Sequence, residues 1–432
     1  MVDLNSVLVS LDIKADWVGL RAVKEQTVTR CARNGNLDPL TIGYDQGIMV
    51  EVLIDGQFAY AGTSTISVDG IKKAAQRAVD QATRLRKFQL CAFNESIRPP
   101  SKGSYLSPTG LILDPSKAHS LNDLAIELSL LLKINDKIIN TEATFMSIDQ
   151  EMSFVSSKGA NFSQTFHQRA VQLLATAEGT GGIQTRTNGF PVTQGGDEFF
   201  EAGYLRQKAQ RIAEEAIELS QADECPTGLL DLILMPDQLY LQVHESIGHP
   251  LELDRILEDE RNYAGSSFIK LEDFGHFAYG SELLNVTFDP TVPHELASYH
   301  FDDTGAPATR EYVIKDGILK RGLGGLESQH RAKIPGVSSQ RAASWNRPPI
   351  DRMANLNIEP GSAKLKDMVS SIEHGVLMQT NKSWSIDDYR NKFQFGCEFG
   401  QLIEDGQIKG IVKNPNYHGV SVPFWQSLED VS

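Results

Sequence analysis

The chain has 432 residues, of which 41% are apolar and 22% charged, and this composition excludes collagen-like, coiled-coil and disordered proteins. Acidic residues outnumber basic ones by 56 to 41, and the formal net charge of −15 disfavours binding to nucleic acid or anionic lipid. We find no run of about 20 apolar residues that could span a bilayer, and the N-terminus lacks the basic start of a signal peptide.

The first ninety residues predict a small unit of strands and one helix. Residues 47–58 alternate apolar and polar side chains and turn at Asp55-Gly56, a dipeptide that tolerates the positive φ angles of a hairpin turn. Residues 68–84 repeat apolar side chains at three- and four-residue steps, which predicts an amphipathic helix. We therefore expect an N-terminal α+β domain over residues 1–90.

Residues 91–222 predict a middle domain. A connector rich in proline and glycine covers residues 86–116 and excludes a helix there. Amphipathic patterns predict helices over residues 121–135 and 202–219. Strand-like segments lie between these helices, at residues 141–148, 151–156, 161–177 and 182–186.

Residues 223–432 predict a strand-rich C-terminal domain. The apolar run at 229–235 is typical of a buried strand, and a helical pattern begins at Pro236. After residue 280, frequent glycine and aspartate turns alternate with strand-like segments. Strands and helices grouped in this way indicate an α+β fold rather than an alternating α/β fold.

The helical pattern after Pro236 contains the sequence HExxxH, formed by His244, Glu245 and His249. Two neutral imidazoles near a carboxylate suit the binding of Zn²⁺ and the activation of water. A five-residue spacing separates the rings by about 140° on an ideal helix, so a regular helix would make them diverge. Pro250 disfavours the α conformation at His249 and removes one helical hydrogen bond, so a wider π-like turn would bring the rings together. A chance occurrence of the pattern is the alternative.

Three further blocks accompany this motif in the chain, and the four together resemble the TldD/PmbA family. This family groups bacterial and archaeal zinc metallopeptidases once called modulators of DNA gyrase, and the resemblance is to its TldD-like branch. The blocks are the HESIGH segment with Glu252 and Asp254 behind it, DDTGAP at 302–307, RMAN at 352–355 with EPG at 359–361, and LIEDG at 402–406.

The resemblance implies a three-part α+β chain that forms a two-fold dimer around an enclosed peptidase cavity. His244 and His249 would be zinc ligands, and Glu245 would activate a zinc-bound water and pass its proton to the leaving amine. The substrates would be small or unfolded peptides. The second subunit would be another copy or a PmbA-like subunit without the histidine motif. The alternative is a catalytically silent partner or peptide-binding subunit of such a complex.

The resemblance leaves the third metal ligand open. In the family, a cysteine in a CGK-like segment near the C-terminus supplies it, and this chain stops at Ser432 before such a segment. Cys397 is the candidate thiol, although its block corresponds to a strand upstream of the family's ligand. The other candidates are His418, Glu252 and Asp254.

Three charged residues around the motif are candidates for supporting or substrate-binding roles. Glu252 follows His249 by three residues, so its carboxylate could hold the imidazole N–H, although a solvated position is the alternative. Asp254 follows on the same charged segment. Arg352 could clamp a substrate carboxylate or pair with a carboxylate of the core.

The remaining cysteines predict the cellular location of the protein, and the net charge bears on its partners. Cys31, Cys91 and Cys225 lie outside any motif and form no CxxC pair, so we expect reduced thiols in a cytoplasmic protein. The old family name suggests a regulator of gyrase, but the net charge of −15 and the lack of a basic run argue against a nucleic-acid partner.

Overall fold

The computed structural model describes residues 2–108, 118–189, 191–195 and 201–432. Within these residues, helices combine with four β-sheets, which confirms the predicted α+β class. None of the described helices has the length and apolar character needed to cross a lipid bilayer.

The largest sheet has nine strands and is built on three long ones. Its hydrogen-bonded order is β4-β3-β1-β6-β7-β5, while β2 pairs with β1, and β8 and β9 pair with β7. Strands from the predicted N-terminal and middle domains therefore share one sheet. The strands are β1 (Trp17–Arg33), β2 (Asn36–Leu37), β3 (Thr41–Ile54), β4 (Gln57–Thr63), β5 (Lys102–Leu106), β6 (Ile138–Ser156), β7 (Asn161–Gly179), β8 (Gly182–Thr187) and β9 (Val192–Gln194).

The predicted hairpin and helix of the N-terminal part are confirmed. Asp55 and Gly56 adopt φ angles of 48° and 81° in the turn between β3 and β4. The first helix, α1, is Leu4–Ser10, and the predicted helix is α2, Val68–Leu85. The alanine-rich face of α2 is buried on β3 and β4, because small side chains allow the helix to approach the sheet closely.

Two expectations for the middle part change in detail. The segments predicted as two strands at 141–148 and 151–156 form the single strand β6, because the polar pair Asp149-Gln150 continues the ladder to β1 and to β7. The predicted connector includes β5, which pairs in parallel with β7, and its residues 109–116 lie outside the described residues. Helices α3 (Ala118–Leu131) and α4 (Ala202–Leu219) pack near each other against this half of the sheet.

The C-terminal part holds the other three sheets. A six-stranded sheet contains β10 (Asp223–Glu224), β11 (Asp231–Leu234), β18 (His374–Ile386), β19 (Lys392–Glu404), β20 (Gln407–Lys413) and β21 (Asn416–Val420). A four-stranded sheet contains β12 (Val286–Phe288), β13 (Glu311–Lys315), β14 (Ile318–Leu319) and β17 (Leu356–Ile358). The third sheet is the hairpin of β15 (Gln340–Arg341) and β16 (Ile350–Asp351).

Short helices connect these sheets and carry the candidate site. They are α5 (Pro236–Val243), α6 (Leu253–Ile256), α7 (Arg261–Ala264), α8 (Leu326–Ala332), α9 (Leu365–Ser371) and α10 (Ser421–Gln426). The predicted strand at 229–235 is β11, and the predicted helix begins at Pro236 as expected. Helix α5 packs on β18, and it leads directly into the histidine motif.

Candidate metal centre

The histidine motif adopts the distorted turn that its spacing predicts. Helix α5 continues into a π-helical turn over His244–Gly248, which is followed by a 3-10 turn over His249–Leu251. The backbone N–H of His249 donates to the carbonyl of His244, five residues earlier. As a result the two imidazole rings lie edge to face, with centroids 4.6 Å apart and planes at 84°. The rings therefore converge, whereas a regular helix would separate them.

The turn is held by side chains that replace the hydrogen bond lost at Pro250. The carbonyl of Ser246 would pair with the N–H of residue 250 in an α-helix, and in its place the buried hydroxyl of Tyr279 donates to it. The hydroxyl of Ser246 donates to the carbonyl of Gln242 (2.6 Å) and accepts from the indole N–H of Trp425 (2.9 Å). These contacts provide hydrogen-bond partners for polar groups that the distortion would otherwise leave unsatisfied in the core.

The glycine of the motif lies in close contact with a methionine, which would have to move to admit a larger residue. A Cβ added at Gly248 would lie 1.9 Å from the Sδ atom of Met353, far inside van der Waals contact. Met353 belongs to the RMAN block, so the structure brings two of the sequence blocks together at this turn.

His244, Glu245 and His249 form a group able to hold a metal ion. One donor atom from each side chain lies within 4.8 Å of the other two. In the described part of the chain no other trio of His, Cys, Asp or Glu side chains meets this condition.

The surroundings of His249 orient its ring. Its Nδ1–H donates to the buried carboxylate of Glu252 at 2.9 Å, which leaves Nε2 free to bind a metal. The Nη2 and Nε of Arg255 donate to the same oxygen at 2.9 and 3.1 Å. Burial raises the pKa of Glu252, but the hydrogen bond from His249 and the positive charges outweigh it, so the pKa is lowered. The carboxylate of Glu252 therefore contacts the imidazole that precedes it by three residues.

The protonation of His244 also suits a metal ligand. Burial, followed by the positive charge of His249, lowers the pKa of His244 to about 4. The ring is therefore neutral near pH 7, which is the form that coordinates metals. Two imidazoles next to a carboxylate, one of them oriented by a glutamate, fit a zinc ion.

Glu245 is held by an arginine that the sequence analysis did not identify. Its side chain is buried, and its Oε2 accepts a hydrogen bond from Nη1 of Arg390 at 2.8 Å. Arg390 lies 145 residues further along the chain, in the loop between β18 and β19. No motif or spacing marks it, so only the three-dimensional fold reveals the contact.

The structure does not bring Cys397 to the two imidazoles. Cys397 lies on β19 with its side chain fully buried in an apolar core, where its Sγ is 3.9 Å from the Sδ of Met378. Burial raises the pKa of this thiol well above its usual range, whereas a metal ligand must be a thiolate. Its environment is that of a small apolar core residue.

The other candidates also lie outside the group of three donors. Asp254 is buried at the start of α6, where its backbone N–H donates to the carboxylate of Asp351 at 3.1 Å. Arg352 donates its backbone N–H to Ser339, and its guanidinium makes no hydrogen bond or ion pair with a described residue. His418 is exposed on β21.

Comparison with known proteins gives consistent matches over the whole chain. A family model described as the PmbA/TldA metallopeptidase C-terminal domain matches residues 227–432, and one described as PmbA/TldA metallopeptidase domain 1 matches residues 18–82. Together they cover more than half of the chain.

Individual relatives are distant in sequence but extensive in coverage. A metalloprotease of Methanothermobacter thermautotrophicus is 24% identical over 99% of this chain and 90% of its own length. A zinc metalloprotease TldD homolog of Saccharolobus solfataricus is 21% identical over 90% of this chain and 83% of its own. The crystal structure of TldE from Thermococcus kodakarensis superposes with a TM-score of 0.74 at 16% identity, covering 99% of this chain and 94% of that one.

Proposed function

The chain belongs to the PmbA/TldD family of metallopeptidases, and from this premise we propose that it is a zinc-dependent peptidase acting on small or unfolded peptides. The observation that carries the proposal is the π-turn. It brings together two imidazoles that are five residues apart and would diverge on a regular helix, and it places them beside a carboxylate. The name of the relative from Saccharolobus solfataricus supports zinc as the metal.

The proposed roles follow from the contacts of each side chain. His244 and His249 would hold the zinc ion, and zinc bound there would polarise a peptide carbonyl and favour the ionisation of water. Glu245 would take a proton from the attacking water and return it to the leaving amine. Its Oε2 is bonded to Arg390, while its Oε1 makes no hydrogen bond with a described residue, so one oxygen is available to accept a proton. Glu252 and Arg255 would keep the ring of His249 in place.

The metal content of the purified protein tests the proposal first. Protein produced with zinc in the growth medium should contain close to one zinc per chain, and His244→Ala should lose it. His418→Ala is the matched control, because it removes an exposed histidine outside the group and should keep the metal. A native protein that carries no metal would refute the proposed function.

Cleavage of a quenched fluorescent peptide library tests the role of Glu245. Glu245→Gln preserves the size of the side chain but cannot take up a proton, so this variant should retain zinc and lose turnover. Unchanged turnover would remove Glu245 from the mechanism. A protein that binds the peptides but cleaves none would instead favour a catalytically silent, peptide-binding subunit.

We further propose that the working form is a cytoplasmic assembly of two subunits, either two copies or one copy with a PmbA-like partner, with the site facing an enclosed cavity. The likeness to a TldE structure supports a subunit fold of this type. The mass in solution, measured by light scattering, should be about twice the 47.7 kDa of one chain for the homodimer. A measured mass of one chain would exclude the homodimer. If the mass also stayed the same after a PmbA-like subunit is added, the proposed assembly would be refuted.

A further inference from the structure

The convergence of His244, Glu245 and His249 raises a question that the motif does not answer. Donor atoms of all three side chains lie within 4.8 Å of one another, so the carboxylate is within reach of an ion shared by the two rings. Carboxylates are ordinary zinc ligands. Glu245 could therefore either coordinate the metal or act as a base. A carboxylate oxygen of Glu245 that is bound to the metal would no longer be available to take up a proton.

We propose that Arg390 is a positioning residue that keeps Glu245 out of the coordination sphere of the metal and in place to act as the base. This inference rests on the proposed function. The Nη1 of Arg390 donates to Oε2 of Glu245 at 2.8 Å, and its Nη2 donates to the carbonyl of Ala264 at 3.0 Å. The two side chains are only 17% and 7% exposed, so water competes weakly for this charge-assisted hydrogen bond.

The anchor of Arg390 is also the anchor of His249. The carbonyl of Ala264 accepts a second hydrogen bond, from Nη1 of Arg255. Arg255 in turn holds Glu252, which holds the ring of His249. The carbonyl oxygen of Ala264 thus fixes the guanidinium groups of both Arg255 and Arg390. Through them, the protein sets the distance between the ring of His249 and the carboxylate of Glu245 without help from the metal.

The backbone of Arg390 is fixed by its own contacts. The residue has a φ angle of 62°, a left-handed conformation that costs energy for a residue other than glycine. The side chain of Asp387 accepts from the backbone N–H groups of Asn391 and Lys392 at 2.7 and 2.9 Å. The hydroxyl of Ser421 donates to the carbonyl of Arg390 at 3.1 Å. The side chain is therefore presented to Glu245 by a loop that is held from two sides.

The guanidinium has few other partners. Its Nε is buried and makes no hydrogen bond with a described residue. Among these residues its side chain therefore bonds only to Glu245 and Ala264. Removing the side chain frees Glu245 and leaves the bonds between His249, Glu252 and Arg255 in place, so the consequence for the metal can be measured directly.

The test compares cobalt and zinc binding in three variants of the metal-depleted 432-residue chain. Arg390→Ala should bind Co²⁺ and Zn²⁺ more tightly than the original chain, with a changed visible spectrum of the cobalt form, because Glu245 becomes a third protein ligand. The gain should disappear when Glu245→Gln is added. Arg206→Ala, which removes a two-bond arginine–glutamate pair with Glu127 in the middle part, is the control and should change neither property.

Kinetics give the second readout. In Arg390→Ala, kcat on the peptide library should fall about 10-fold to 100-fold with KM nearly unchanged, and added guanidinium ion should restore part of it. Arg390→Gln removes the charge with a smaller loss of volume and replaces the alanine variant if the latter does not fold. Metal affinity and spectrum equal to those of the original chain would overturn the inference. Because the metal titration needs no turnover, a protein that binds metal but cleaves nothing would refute the proposed function alone.

Discussion

The hydroxyl of Tyr279 compensates for Pro250, and its removal tests this account of the π-turn. Tyr279→Phe deletes one oxygen, while the ring keeps its contacts with Phe268 and Phe277. The carbonyl of Ser246 then has no donor, because Pro250 has no N–H to offer. An unsatisfied buried acceptor costs about 1–3 kcal/mol. For a unit of the size of the C-terminal part, this predicts a fall in Tm of roughly 2–4 °C per kcal/mol.

Urea unfolding and zinc titration are the assays. We expect the variant to be less stable and to bind zinc more weakly, because the turn that aligns the two rings loses a support. Tyr263→Phe is the control, since Tyr263 is 88% exposed and its change should stay within about 0.5 kcal/mol. A restored N–H should relieve the defect, so the cost of Tyr279→Phe should be smaller in a Pro250→Ala background. Additive effects of these two substitutions would refute the reasoning.

Three further predictions concern the turn and its surroundings. Gly248→Ala should destabilise the protein by about 1–3 kcal/mol and weaken zinc binding, measured by melting and metal content, and Met353→Ala should relieve the clash. Cys397→Ala should keep the full zinc content, because the thiol is packed in the apolar core. A loss of zinc in this variant would show that Cys397 is a ligand after all. Burial raises the pKa of both Asp254 and Asp351, and the charge of Asp351 raises that of Asp254 further. The folded state then binds more protons than the unfolded state, so the free energy of unfolding should fall as the pH rises above about 4, by at most about 1.4 kcal/mol per pH unit for each proton that the pair releases. Asp254→Asn should flatten this dependence in urea melts at different pH values, and an unchanged slope would contradict it.

The part of the site that local chemistry dictates could be predicted from the sequence. The spacing of the two histidines and the proline after them require a widened turn, and the structure has one over His244–Gly248. The helices α2 and α4 follow in the same way from their apolar repeats, because a short period in the sequence specifies the buried face.

The supports of the site come from distant parts of the chain and leave no local signal. Tyr279 is 33 residues from the carbonyl it binds, Trp425 is 179 residues from Ser246, and Arg390 is 145 residues from Glu245. Their side chains meet the motif only through tertiary packing. Cys397 shows the converse case, because an inward-facing cysteine on a buried strand has the same sequence pattern whether it packs or coordinates.

Helix α10 makes the candidate centre depend on residues that are synthesised long after the histidine motif. Trp425 supports the hydroxyl of Ser246 in the turn, and Ser421 bonds to the carbonyl of Arg390. A ribosome needs on the order of ten seconds or more to add the intervening 179 residues. During that interval a nascent chain has both histidines but not the support from Trp425, so the turn is completed only after helix α10 has been synthesised.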